Sequence, residues 1–81
     1  LQNLGQLYRE IQHYDRALVI YKKLLEKDPK NIKAYFGLGL CYEKLGNPDK
    51  AKDSFQKVIT LSPEDPLATE AREKLSLLAM H

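Results

Sequence analysis

The sequence is short of the residues that announce chemistry. Its single cysteine, Cys41, has no partner for an internal disulfide and cannot by itself build a zinc site. That excludes a disulfide-stapled secreted scaffold and makes a reducing, cytoplasmic setting the default expectation. The two histidines, His13 and His81, lie far apart, without the spacing of metal ligands. Neither a metal nor a cofactor is expected. The longest uncharged stretch, Ala34 to Tyr42, has nine residues, well short of the ~20 needed to span a bilayer, and no signal peptide is visible. Charge of one sign is scarce as well. The 13 cationic and 11 anionic side chains interleave to a net +2, which is no footprint for nucleic acid. No segment alternates with period two, so no strand is expected.

What is present suits one small soluble domain. The 81 residues are 43% hydrophobic and 30% charged, enough for a modest core and too apolar for disorder. Opening at Leu1 without a methionine, the chain is expected to be a piece of something longer.

The productive observation is internal similarity. A shift of 34 residues lays Leu4 on Leu38, Gly5 on Gly39, Tyr8 on Tyr42, Ala17 on Ala51, Tyr21 on Phe55, Leu24 on Val58 and Pro29 on Pro63, with no gap. Large residues fall on large ones, small on small, and proline on proline.

Each repeat carries two helical patterns. Asn31 can cap a helix over about residues 32–45, in which Tyr35, Leu38, Tyr42 and Leu45 recur at helical spacing. Gly46 stops it. Asn47-Pro48 opens the next helix, since proline at the first helical position lacks only an N–H that would be unpaired anyway. Ala51, Phe55, Val58 and Ile59 form its buried stripe, and Ser62-Pro63 ends it. The first repeat predicts helices over about 1–12 and 14–27 in the same way. Asp65-Pro66 opens a fifth, about 67–80.

Gly37 and Gly39 stand inside a helical run, where each costs roughly 1 kcal/mol relative to alanine. Gly39 has a counterpart in Gly5, and Ala51 in Ala17. Small residues at matched places are expected to let the paired helices approach, with Tyr8 or Tyr42 filling the space beside them. Gly37 lies opposite Asn3 and needs another reason.

These residues resemble the tetratricopeptide repeat, a 34-residue helix–turn–helix unit with a large-x2-Leu-Gly-x2-Tyr, Ala-x3-Phe/Tyr and Pro pattern. The chain reads LQNLGQLY and YFGLGLCY at the corresponding places. The departures are Leu1, where the family favours Trp or Tyr, and Gln12, where the second repeat has Gly46. Arg72 and Glu73 stand where a third unit would need Leu and Gly. Pentatricopeptide RNA binders have a period one residue longer and a different pattern. The resemblance thus implies an all-α fold, an α-α superhelix or solenoid. Residues 1–31 would be a truncated first repeat, 32–65 a second, and 66–81 a capping helix with a polar outer face.

The resemblance also implies a function without catalysis, in which a concave groove holds a peptide or helix of a partner protein. Carried over place by place, the groove would draw on Gln2, Gln6, Arg9 and Glu10, then Lys33, Phe36, Leu40, Glu43 and Lys44, then Glu70, Lys74 and Leu77. Phe36 and Leu40 either face that groove or pack under Gln6 and against the cap helix. Gly37 either opens the groove floor to a partner or relieves crowding. The carboxylate clamp that some relatives use for chaperone C-termini would fall on Gln2, Gln6, Gly37, Leu67 and Ala71, which lack its cations. Leu4, Leu7 and Ile11 recur at helical spacing on the first helix and are a candidate self-association face, so a homo-oligomer is the rival expectation. Cys41 reads as a buried, inert thiol and His13 as a turn residue. Gly37-Leu38-Gly39 follows no strand and is no phosphate loop.

Overall fold

The computed structural model describes the backbone of residues 2–80 and the side chains of residues 3–80. Five helices follow one another: α1 (Gln2–Glu10), α2 (Tyr14–Lys27), α3 (Ile32–Lys44), α4 (Pro48–Leu61) and α5 (Pro66–Ala79), with no strand among the described residues. The architecture is an all-α repeat solenoid of two helix pairs and a covering helix.

Side chains seal most of the helix starts. Asn31 accepts from the Ala34 N–H at 3.1 Å, Asn47 from Lys50 at 3.3 Å, and Asp65 from Leu67 at 2.9 Å. His13 precedes α2 and makes no such bond. The helix ends show why α1 closes two residues before the expected Gln12. The Asn47 N–H reaches back to the Tyr42 carbonyl at 2.9 Å, with Gly46 at φ +79°; the His13 N–H reaches Tyr8 at 2.8 Å, with Gln12 at φ +66°. Both are the same left-handed closure. The first repeat makes it with a glutamine.

Two core clusters stack along the array. Ala17, Tyr21, Ala34, Leu38 and Cys41 form one, and Ala51, Phe55, Val58, Ala68 and Ala71 the other. Tyr35 and Tyr42 pack against both and tie them together. The α5 helix rests on the second cluster through Ala68 and Ala71, while Arg72 and Glu73 face solvent.

The interior glycines receive rings, and this departs from the expectation that helix axes alone approach through them. A β-carbon on Gly5 would stand 2.8 Å from the Tyr21 ring, and one on Gly39 would stand 2.5 Å from the Phe55 ring. Tyr8 and Tyr42, expected beside the glycines, are only half-buried. Tyr42 carries the ammonium groups of Lys22 and Lys50 over its ring, 6.0 and 5.6 Å from the centroid. Ala17 and Ala51 are fully buried.

The α3 backbone lies close to α1 and α5 as well as to α2 and α4, whereas the α2 and α4 backbones stay apart among the described residues. The first helices therefore crowd together while the second helices splay, so the array curves with α1, α3 and α5 on its inner wall.

Candidate functional site

The inner wall carries a cavity of about 440 Å³. Helix α1 contributes Gln6 and Arg9, α3 contributes Lys33, Phe36, Gly37 and Leu40, and α5 contributes Leu67. The spacing explains the set: 6 and 9 lie one turn apart, and 33, 36, 37 and 40 follow one face of a 3.6-residue helix. Tyr21 reaches the cavity from behind, on α2.

Phe36 and Leu40 lie between the core and the cavity. Each packs on the second core cluster, Phe36 edge-to-face on Phe55 with ring centroids 5.4 Å apart, and each lines the cavity. Gly37 does lie in the cavity wall, but its glycine is required by the Tyr21 ring, which occupies the space where a β-carbon would go. Tyr21 is held between Gly5 and Gly37, with its ring buried. Its hydroxyl accepts a 2.9 Å hydrogen bond from the Arg9 Nε–H.

The remaining groove places separate from the cavity. Glu43 and Lys74 pair across α3 and α5 at 3.7 Å, with both side chains about one-third exposed, a contact worth little energetically. Lys44, Glu70 and Leu77 are exposed. Glu10 accepts from Gln6 Nε2 at 3.1 Å. The Gln2 side chain lies outside the described residues. Tyr21 and Leu67 also line the cavity; the sequence puts Tyr21 in the repeat packing and Leu67 at a clamp place without its cation. Leu67 falls 34 residues after Lys33, so the repeat shift itself marks its place. Tyr21 falls opposite Phe55, and the extra hydroxyl signalled a polar partner that phenylalanine would not need.

Leu4, Leu7 and Ile11 are 38%, 51% and 53% exposed. Their counterparts divide them. Cys41, opposite Leu7, is fully buried, and Leu38, opposite Leu4, is nearly so, whereas Leu45, opposite Ile11, is 48% exposed. Among the described residues no helix pair packs on the α1 face that carries Leu4 and Leu7, whereas the exposure of Ile11 belongs to its place in the repeat.

Burial pushes the Cys41 thiol up from its ordinary value of 9.0 to about 11, against a smaller lowering by the Arg9 charge. A thiol so placed is protonated at neutral pH and a poor nucleophile. His13 is an exposed turn residue set edge-on to Tyr8, with centroids 6.5 Å apart. His81 lies outside the described residues. No group of three or more His, Cys, Asp or Glu among the described residues could hold a metal, and no helix is long and apolar enough to cross a membrane.

A curved stack of matched helix hairpins with a concave inner wall defines a helical-repeat solenoid. Comparison with known proteins agrees on family and fold. The "Tetratricopeptide repeat" family model matches residues 32–65, and a second, "TPR repeat", matches residues 5–46. The chain belongs to the tetratricopeptide repeat family, whose members generally mediate protein–protein interactions. It is 35% identical over 75 residues to the uncharacterized protein ycf37 of Guillardia theta, covering 93% of this chain and 40% of that protein. It is 34% identical over 64 residues to the human intraflagellar transport protein 88 homolog, covering 79% of this chain and 8% of that protein. The chain thus spans less than half the length of these relatives. A crystal structure of a tetratricopeptide repeat domain protein from Salinibacter ruber superposes with a TM-score of 0.84 at 26% identity, covering 95% of this chain and 90% of that one.

Proposed function

We propose that this chain is a protein-binding module whose concave groove takes a peptide or a helix of a partner, without catalysis by the module itself. The observation that carries this reading is the cavity on the inner wall. Phe36, Leu40 and Leu67 give it an apolar strip, and Gln6, Arg9 and Lys33 give it polar edges. A few polar groups around an apolar surface suit an amphipathic segment. Capture of a chaperone C-terminal carboxylate by a clamp is disfavoured, because Gly37 and Ala71 offer no donor side chain and both are buried. The test is a Phe36→Ser, Leu40→Ser double variant, with helicity measured beside binding to a panel of amphipathic peptides. Loss of binding at unchanged helicity supports the groove; binding that survives in the folded variant overturns it.

A second reading, self-association, is favoured by Leu7, half-exposed where its counterpart Cys41 is fully buried. A second copy packing on the α1 face would cover Leu7 and Leu4. Light scattering over about a hundredfold range of concentration decides, since mass action raises the average mass of any associating protein. A monomer throughout removes this reading, and a rise abolished by Leu7→Glu supports it.

A further inference from the structure

The charge of the groove is one-sided. Among the cavity-lining residues Arg9 and Lys33 carry positive charge and none is an Asp or Glu. Two carboxylates on the same helices are engaged with other partners, Glu10 with Gln6 and Glu43 with Lys74. No carboxylate lies within ion-pair distance of Arg9 or Lys33 among the described residues.

Arg9 is also held in place. Its Nε–H is given to the Tyr21 hydroxyl, whose ring is fixed between Gly5 and Gly37. A guanidinium anchored at Nε keeps both terminal NH2 groups free and loses little rotamer freedom when a ligand arrives. The Tyr21 O–H, accepting from Arg9, retains its own proton to donate. Three donor groups, on Arg9, Tyr21 and Lys33, thus border a strip made by Phe36, Leu40 and Leu67.

Building on the groove reading above, we infer that the occupant is an acidic amphipathic segment, an Asp or Glu side chain flanked by large apolar residues. Its carboxylate accepts from Arg9, Tyr21 and Lys33, and the flanking apolar side chains lie on Phe36, Leu40 and Leu67. Charge complementarity argues for the acid. The adjoining strip argues for an acid inside a segment, which has neighbours on both sides to bury, as a chain terminus does not.

The experiment uses short labelled peptides, acetylated and amidated at their ends, with alternating Leu and Glu, Leu and Gln, or Ser and Glu, and anisotropy as readout. The Leu–Glu peptide is expected to bind about tenfold tighter than Leu–Gln, the gain of one charge-assisted contact. Ser–Glu is expected to bind more weakly than either, and the Leu–Glu advantage to shrink in added salt. Arg9→Gln should bring the Leu–Glu to Leu–Gln ratio close to one. Tyr21→Phe, which keeps the ring between the two glycines, should lower that ratio at unchanged helicity. Equal binding of Leu–Glu and Leu–Gln overturns the acidic preference while leaving the groove standing. Failure of every peptide to bind overturns both. Tighter binding of a Leu–Gln peptide with a free C-terminus, or of a single-stranded oligonucleotide, overturns the assigned occupant.

Discussion

The aromatic ring of Tyr21 occupies the space that a side chain at Gly37 would need. Gly5 lies against the same ring, so one residue of α2 locks α1 and α3 together. The arrangement joins the two repeats at the point where the groove lies, and it sets the Tyr21 hydroxyl beside Arg9.

Gly37→Ala should therefore destabilise the chain, although helix propensity alone favours alanine by about 1 kcal/mol. The β-carbon would meet a buried ring with no room to swing, and overpacking of this kind costs about 1–3 kcal/mol. Urea denaturation should show a net loss of up to about 2 kcal/mol, the overpacking cost less the propensity gain. Gly39→Ala should behave alike against Phe55. Gly5→Ala should cost less, because a β-carbon there would stand farther from the Tyr21 ring than one on Gly37. A stabilised Gly37→Ala variant would mean that the Tyr21 ring is not where the packing puts it.

The end of α1 offers the opposite sign. Gln12 holds φ +66° where its counterpart Gly46 holds +79°, a left-handed conformation that costs a side-chain-bearing residue about 1–2 kcal/mol. His13 precedes α2 without a side-chain cap, where its counterpart Asn47 makes one. Copying the second repeat into the first by Gln12→Gly and His13→Asn should stabilise the protein by about 1–2 kcal/mol together. Thermal unfolding, read as an increase in Tm, checks it.

Much of this was legible in the residues, and the exceptions have physical causes. The 34-residue shift located five helices because Pro29, Pro63, Asn31, Asn47 and Asp65 punctuate the chain by mechanisms that act locally. It could not say what fills the glycine notches, since Tyr8 and Tyr21 are equally plausible from spacing and only tertiary packing chooses between them. The cavity lining follows the repeat shift, at Gln6 and Leu40 and at Lys33 and Leu67. The correspondence blurs at Arg9 and Glu43, which share a place in the repeat yet differ in charge and in partner. The end of α1 was misplaced by two residues because a glutamine gives no sign of a left-handed turn.

Cys41 makes stability depend on pH at the alkaline end. Its thiol ionises near 11 in the folded chain and near 9.0 when exposed. Below pH 9 both states hold the proton. Between 9 and 11 the unfolded chain releases it and the folded one does not, so the stabilisation is lost as pH rises through that window. The loss should amount to about 2–3 kcal/mol. Cys41→Ala should show a shallower decline over the same range, its lysines and tyrosines being unchanged. Identical slopes would place the thiol in contact with water.

The last prediction compares one place under two environments. Leu38 has a helix pair before it and a helix after it and is 6% exposed, while Leu4, 34 residues earlier, has neighbours on one side and is 38% exposed. Leu38→Ala removes buried methyl groups from between three packed helices and should cost about 2–4 kcal/mol. Leu4→Ala removes the same groups from a partly wet face and should cost about 1 kcal/mol or less. Measured by urea denaturation at low protein concentration, the difference should persist with an unchanged denaturant dependence. If Leu4→Ala costs as much as Leu38→Ala, and the cost grows with protein concentration, then the α1 face is covered by a second copy in solution. An equal cost independent of concentration would mean that burial in the stack does not set the value of this place, and that the two repeats are held by something other than the contacts described.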